Sequence, residues 1–149
     1  MLCTMNPQEI DPMADTVFDK IVRREVPADI VYEDELTMAF LDIAPTSPGH
    51  TLVVPKKHFT NIFDIDQETL SAVIETVRKV APAVRNAVGA KGVHVNSNHG
   101  AEAGQVVFHL HFHIIPRHDR NEFEFWGKTT YAPGEEASLT ERIRAELAK

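Results

Sequence analysis

Apolar residues recur along this chain in two rhythms, and each predicts a different kind of element. Between 66 and 89, Leu70, Val73, Ile74, Val77, Val80, Val84 and Val88 follow the i, i+3, i+4, i+7 stripe of one helix face, with Asp66 placed as N-cap and Gly89 as stop. Pro82 lies inside this stretch and predicts a kink; the stripe itself asks only for core packing. A shorter helix is expected from Thr16, where Thr16 and Asp19 make a T-x-x-D capping pattern and Phe18, Ile21 and Val22 keep helical spacing until Pro27. The β rhythm accounts for most of the rest. ADIVYED (28–34) and LTMAFLDI (36–43) are close enough for a hairpin turned through Glu33 and Asp34. HTLVVPK (50–56), GVHVNSN (92–98) and VVFHLHFHIIP (106–116) supply three further strands, the last the strongest of all. HGAEAGQ (99–105) reads as a glycine-containing loop, and a C-terminal helix is expected behind Ser138, with Glu141 completing its capping box. Strands in hairpin order, with helices between only some of them, predict an α+β fold on a mostly antiparallel sheet of about five strands, not a doubly wound one.

The chain's 149 residues suit one domain, expected over 15–149, after a flexible tail or extension at 1–14 that mixes Pro, Asn, Asp and Met without a period. A hydrophobic fraction of 43% with 25% charged residues is ordinary for a globular protein. No apolar run approaches the roughly 20 residues that span a bilayer, so no membrane partner is expected. The net charge of -7 would repel the backbone of a nucleic-acid polymer, which leaves room for an anionic small molecule at a local site that opposes the global charge. Cys3 is the sole cysteine; it excludes an internal disulfide and any multi-cysteine zinc site. The first residues lack a basic stretch followed by an apolar one, and a cytoplasmic location is expected.

Three of the eight histidines fall within five positions of GQVVFHLHFHIIPR (104–117): His109, His111 and His113. On a strand they would share one face in a row with steps of roughly 6.5 to 7 Å, opposite Phe108, Leu110, Phe112 and Ile114 in the core. Strict alternation, with no Lys, Glu, Thr or Ser substituting, sets this face apart from an ordinary polar strand surface. Two chemistries fit it. Three neutral imidazoles and a water would make a catalytic zinc, although rings spread along one strand converge poorly and no Cys or strand-paired carboxylate is evident nearby. Alternatively, a neutral imidazole attacks phosphorus and forms a phosphoramidate, while its neighbours hold its tautomer and share the developing charge. The preceding loop favours the second: Gly100 and Gly104 let backbone N–H groups approach an anion, and Asn98 and Gln105 add neutral donors.

H-L-H-F-H-I-I matches the signature of the histidine triad (HIT) nucleotide hydrolases and transferases. FDKIVRREVPADIVYEDELTMAFLDIAPTSPGHTLVVPKKH resembles that family's N-terminal half, so the resemblance extends over residues 16–117. It implies a HIT-like fold with one long, one short and one C-terminal helix, a homodimer, and a purine nucleotide lying along the sheet with its α-phosphate at the histidines. By position, Phe18, Ile21, Phe40, Ile43 and Leu52 would surround the base, and Asp42 would take the ribose hydroxyls. An ionised carboxylate within the apolar run AFLDIAP also wants a partner on its own account. Asn98, Gln105 and the Val106 backbone would meet the phosphate. His111 would be the nucleophile, His109 and His113 would orient it and stabilise its imidazolium, and His50 would lie near the phosphate or leaving group. His58, His94, His99 and His118 match no such role and are taken as surface or structural residues.

The implied reaction releases a nucleoside monophosphate by way of a nucleotidyl-histidine, without metal or other cofactor. Purine nucleoside phosphoramidates or related nucleotidyl conjugates are the expected substrates. A dinucleoside polyphosphate hydrolase is the alternative enzyme, suggested by I-I-P-R at the end of the triad; a nucleotide-binding regulatory module and a metal-binding protein are the non-enzymatic ones. Two departures stand out. Where some family members carry a zinc-binding Cys-x-x-Cys, this chain has Thr16-Val17-Phe18-Asp19, so that zinc is expected to be absent. Where one branch has Ser after the loop glutamine, this chain has Val106, which removes a hydroxyl donor. Trp126 is expected to pack.

Overall fold

The computed structural model describes residues 14–124 and 127–149; the expected tail, up to residue 13, and Trp126 lie outside them. The elements are α1 (Val17–Val22), β1 (Ile30–Glu33), β2 (Thr37–Leu41), β3 (Thr51–Pro55), α2 (Gln67–Ala87), β4 (Gly92–Asn96), β5 (Phe112–Arg117) and α3 (Glu135–Leu147), with short 3-10 turns at Ala101–Ala103 and Arg120–Glu122. The strands form one sheet in the order β1-β2-β3-β5-β4, each pair antiparallel. The expected α+β class and five-stranded sheet are what the structure has.

Alternation along β2 and β3 sends side chains to two covered faces. On one, Ala39, Val53 and Ile114 pack against Val73, Val77, Val80 and Val84, the stripe expected of the long helix. On the other, Met38, Phe40, Leu52 and Val54 meet Phe18 and Ile21 of α1. Burial on both faces explains why these strands read as continuous apolar runs. At the β1–β2 turn the Asp34 carboxylate accepts the N–H groups of Leu36 and Thr37 and the Tyr32 hydroxyl. No helix among the described residues is long and apolar enough to cross a membrane.

The helix ends follow local chemistry that the periodicity did not show. The Thr16–Asp19 capping box is present, but α1 stops at Val22 and does not run on to Pro27. Arg24 turns into the left-handed region (φ 63), and the N–H groups of Arg24 and Glu25 donate to the carbonyls of Ile21 and Lys20, which closes the helix in a Schellman arrangement. The long helix begins behind Asp66 as expected and continues through the exposed Pro82. The C-terminal helix begins three residues before the expected Ser138, with Gly134 as its cap; Glu135 accepts the Ala132 N–H, and Ser138 lies inside the first turn.

The largest difference concerns the histidine stretch. A strand was expected over 106–116, yet β5 starts only at Phe112. Before it, the backbone groups bond elsewhere: the Val107 carbonyl accepts from the Gln105 amide, the His109 carbonyl from the His111 ring, the His111 carbonyl from the Ser97 hydroxyl, and the Leu110 N–H donates to the Phe59 carbonyl. Leu110, Phe112 and Ile114 face the α2 side as expected, whereas Phe108 is half-buried outside both clusters.

Met38 has no solvent exposure and lies at the centre of the α1 side. Met38→Ala is expected to lower unfolding stability by about 2–5 kcal/mol, read as a reduced denaturant midpoint with an unchanged m-value.

Candidate active site

Strand register builds the floor of the site. Phe40 pairs with Leu52 across β2–β3, and Leu52 pairs with His113 across β3–β5, so the three stand side by side on the α1 face. Phe18 closes over them, its ring edge-on to Phe40 at 5.4 Å and to His111 at 5.0 Å. A cavity of about 640 Å³ opens beside this cluster. That is within the range of small-molecule sites. Of the residues expected around the nucleotide, Phe18, Ile21, Phe40, Asp42, Leu52 and Val106 line it, and Ile43 stands fully exposed on its rim. His111 and His113 supply its imidazole wall, and among the described lining residues the charged groups are Asp29 and Asp42. A separate cavity of about 780 Å³ beside Lys91, Arg117 and Arg120 contains none of the expected residues.

The three histidines do not form one row. The rings of His111 and His113 are in contact at 4.9 Å, and His113 is in contact with His50 at 5.1 Å. His109 points to a different place, perpendicular to His58 at 5.0 Å, because the chain bends at 107–109 where an ideal strand would have continued. His109 and His111 are buried, not solvent-facing.

Hydrogen bonds determine which nitrogen of each ring is available. The His111 Nδ1–H donates to the His109 carbonyl at 2.7 Å, which leaves the Nε2 lone pair unprotonated. Burial pushes the His111 pKa down from 6.5 to about 4, so the ring is neutral near neutral pH. The Thr46 N–H donates to His50 Nδ1, so a neutral His50 carries its proton on Nε2. That nitrogen is 2.9 Å from His113 Nδ1 and 3.6 Å from Asp42. His113 thus accepts at Nδ1 and keeps its own proton on Nε2. Burial lowers the pKa of both rings, with Asp42 opposing.

His109 has both nitrogens facing acceptors: Nδ1 is 3.0 Å from Asp19 Oδ1 and Nε2 is 2.8 Å from the Pro55 carbonyl. Burial pushes its pKa down while the Pro55 carbonyl and Asp19 pull it back. Asp19 also accepts from Thr16 N–H, Thr16 Oγ1 and His58 Nδ1. Burial would raise its carboxyl, but these donors hold it well below the usual carboxylate range.

The loop expected to meet a phosphate differs from expectation at Asn98 and Gln105. Gln105 is buried; its amide nitrogen donates to the Thr60 and Val107 carbonyls and its oxygen accepts from Gly100 N–H and Asn61. It therefore clamps the loop and has no donor left for an anion. Asn98 donates weakly to the Gly104 carbonyl at 3.3 Å, and neither Asn98 nor Gln105 lines the cavity. Gly100 and Gly104, at φ 99 and 87, let the loop turn back so that Gln105 N–H reaches the Gly100 carbonyl. Asp19, His58 and Asp29 were missed as members of this neighbourhood. Asp19 and His58 are 39 residues apart, and only the fold brings them together.

An antiparallel sheet with a buried, neutral imidazole beside an apolar cavity is the arrangement of a histidine-triad domain. A model of the HIT domain matches residues 23–120, and the chain belongs to the HIT family. The adenosine 5'-monophosphoramidase of Schizosaccharomyces pombe is 37% identical over 134 residues, 88% of this chain and 97% of that protein. The crystal structure of a HIT-family member from Bacillus subtilis matches with a TM-score of 0.83 at 37% identity, covering 91% of this chain and 99% of that one. A Zn-bound histidine triad family protein from Mycobacterium smegmatis matches with a TM-score of 0.69 at 34% identity, covering 87% and 96% of the two chains.

A zinc-bound relative makes the metal question concrete. Among the described residues, Asp19, His58 and His109 form one trio of possible ligands and Asp42, His50 and His113 another, each with its ligand atoms within 4.8 Å. Neither fits an ion well. In the first, the Thr16 N–H and hydroxyl both donate to Asp19 Oδ2, and Thr16 offers a hydroxyl where a thiolate would bind zinc. In the second trio the His50 nitrogen facing the others carries the proton, so ligation there would require an imidazolate.

Because folding depresses the His111 pKa, the unfolded chain takes up a proton below about 6.5 that the folded protein refuses until about 4. Stability present above that window is therefore lost as pH falls through it. From about pH 8 to about pH 5 the His111 share is about 2 kcal/mol. Denaturant midpoints at the two pH values are expected to differ less in His111→Gln than in the unaltered protein.

Proposed function

We propose that the protein hydrolyses nucleotidyl conjugates at the α-phosphate, with an amine as the preferred leaving group, as the name of its Schizosaccharomyces pombe relative indicates for that protein. The observation that carries this reading is the hydrogen bond from His111 Nδ1–H to the His109 carbonyl, which leaves the Nε2 lone pair unprotonated on a neutral ring that lines a nucleotide-sized cavity. Phe18, Phe40, Ile21, Leu52 and the rim residue Ile43 suit an apolar purine face. Asp42, with one oxygen accepting the Ala44 N–H and the other 3.6 Å from His50, suits ribose hydroxyls. The exposed Val106 offers a backbone N–H to the phosphate at the cavity mouth.

In the first step His111 Nε2 bonds to phosphorus and the bond to the leaving group breaks, its electron pair departing with that group, which takes up a proton. The Nε2–H of His113 is the donor available to that group, and the positive charge left on His111 strengthens its bond to the His109 carbonyl. Water then attacks phosphorus, the N–P bond breaks, its electron pair returns to Nε2, and the proton that water loses restores the His113 Nε2–H as the nucleoside monophosphate leaves. No step passes through a metal.

Charge separates this reading from polyphosphate cleavage. The cavity presents Asp29 and Asp42 and no Lys or Arg among its described lining residues, which disfavours a leaving group carrying several negative charges. A ratio of kcat/KM for adenosine phosphoramidate over a diadenosine polyphosphate of at least about 10 is expected. The reverse preference would assign the site to the polyphosphates. His111→Ala is expected to lose phosphoramidase turnover by about 1,000-fold or more, and retained turnover would remove His111 as nucleophile. A homodimer belongs to the same reading, checked by sedimentation at twice the chain mass.

A further inference from the structure

We propose that Asp19 is a positioning residue for the nucleophile and acts on it through His109. The proposal rests on the reading of His111 as nucleophile, but its first measurement does not depend on turnover. Asp19 occupies the third position of α1 and is buried. Its bonds to Thr16 suffice to cap the helix; the two further bonds, to His58 and His109 at 3.0 Å, have no part in capping. They tie α1 to the segment after β3 and to the bent stretch before β5.

That stretch needs such a tie. Residues 107–111 are outside the strand ladder, so the direction of the His109 carbonyl depends on what pins residue 109. The His109 side chain, without solvent exposure, lies between Asp19 at Nδ1 and the Pro55 carbonyl at Nε2; a neutral ring has one N–H, and donating it from Nδ1 ties residue 109 to Asp19. The His109 carbonyl then receives the His111 Nδ1–H at 2.7 Å. Asp19 thus stands two bonds from the lone pair that defines the site: carboxylate to His109 ring, and His109 carbonyl to His111 ring. Phe18, beside Asp19 on the same helix turn, rests edge-on against the His111 ring at 5.0 Å, so α1 supports the nucleophile at two points. Loss of the carboxylate frees the His109 ring to seek other partners, and the carbonyl turns with it.

The test is Asp19→Asn in the full chain, followed by imidazole nitrogen NMR near neutral pH. The unaltered protein is expected to show His111 as the single Nδ1–H tautomer, and the variant a mixture with the Nε2–H form. For adenosine phosphoramidate, kcat is expected to fall about 10- to 100-fold with KM changed by less than about twofold. Thr16→Val removes a capping hydroxyl but keeps the carboxylate; it is expected to lower stability and leave the tautomer and kcat unchanged. Asp19→Ser, which keeps an acceptor for the cap but cannot reach His109, serves if Asp19→Asn does not fold. An unchanged His111 tautomer in the Asp19 variant overturns the proposal. So does stoichiometric zinc in the unaltered protein that is lost on Asp19→Asn, since the clamp would then be a ligand set. If the unaltered protein turns over no nucleotide conjugate but the tautomer still shifts, the positioning role stands and the proposed function falls.

Discussion

The His109 carbonyl is the acceptor around which the site is organised. A neutral imidazole has one N–H and one lone pair, and the 2.7 Å bond from His111 Nδ1 decides which side is which. Such a bond contributes only about 1 kcal/mol net to stability. Its effect on tautomer is larger, because the opposite tautomer would set two lone pairs against each other in a buried place. Burial supplies the second condition by lowering the His111 pKa to about 4, so that the ring enters the neutral pH range uncharged. Neither condition suffices alone: a neutral ring in the wrong tautomer presents N–H to the cavity, and a charged ring presents no lone pair.

The fold provides both conditions by covering the sheet on two sides. The α2 side is an ordinary core of Val73, Val77, Val80 and Val84 on Val53 and Ile114. The α1 side is covered by a helix of only six residues, and the uncovered remainder is the cavity. Histidines that would have faced water on an open sheet are thereby placed in a half-closed apolar trough. Residues 107–111 stand outside the ladder, and there the His109 carbonyl receives the His111 ring.

Much of this was legible in the sequence where period and burial coincide. The valine stripe of α2, its Asp66 cap and the apolar runs of β2 and β3 each carry their signal within a few residues. The beginning of β5 does not. Alternation of Phe and His looks the same in a strand and in an extended bend, and the groups that end the ladder, Phe59 and Ser97, are remote in sequence. Gln105 shows the same limit: a side-chain amide reads as a free donor until its four partners are known. Asp19 was recognised as a cap because Thr16 is three residues away, while its bond to His109 spans ninety residues. The apolar residues around the cavity would be core in almost any fold, so only the family resemblance marked them as a binding surface.

The most direct measurement of the central claim is the fate of the His111 ring during turnover. Reaction with an adenosine phosphoramidate, stopped rapidly in alkali, which preserves N–P bonds, and then digested for mass spectrometry is expected to show an adenylyl group on His111. An adduct on another residue would contradict the account. So would inversion of configuration at an isotopically chiral phosphorus, since two displacements through His111 require retention.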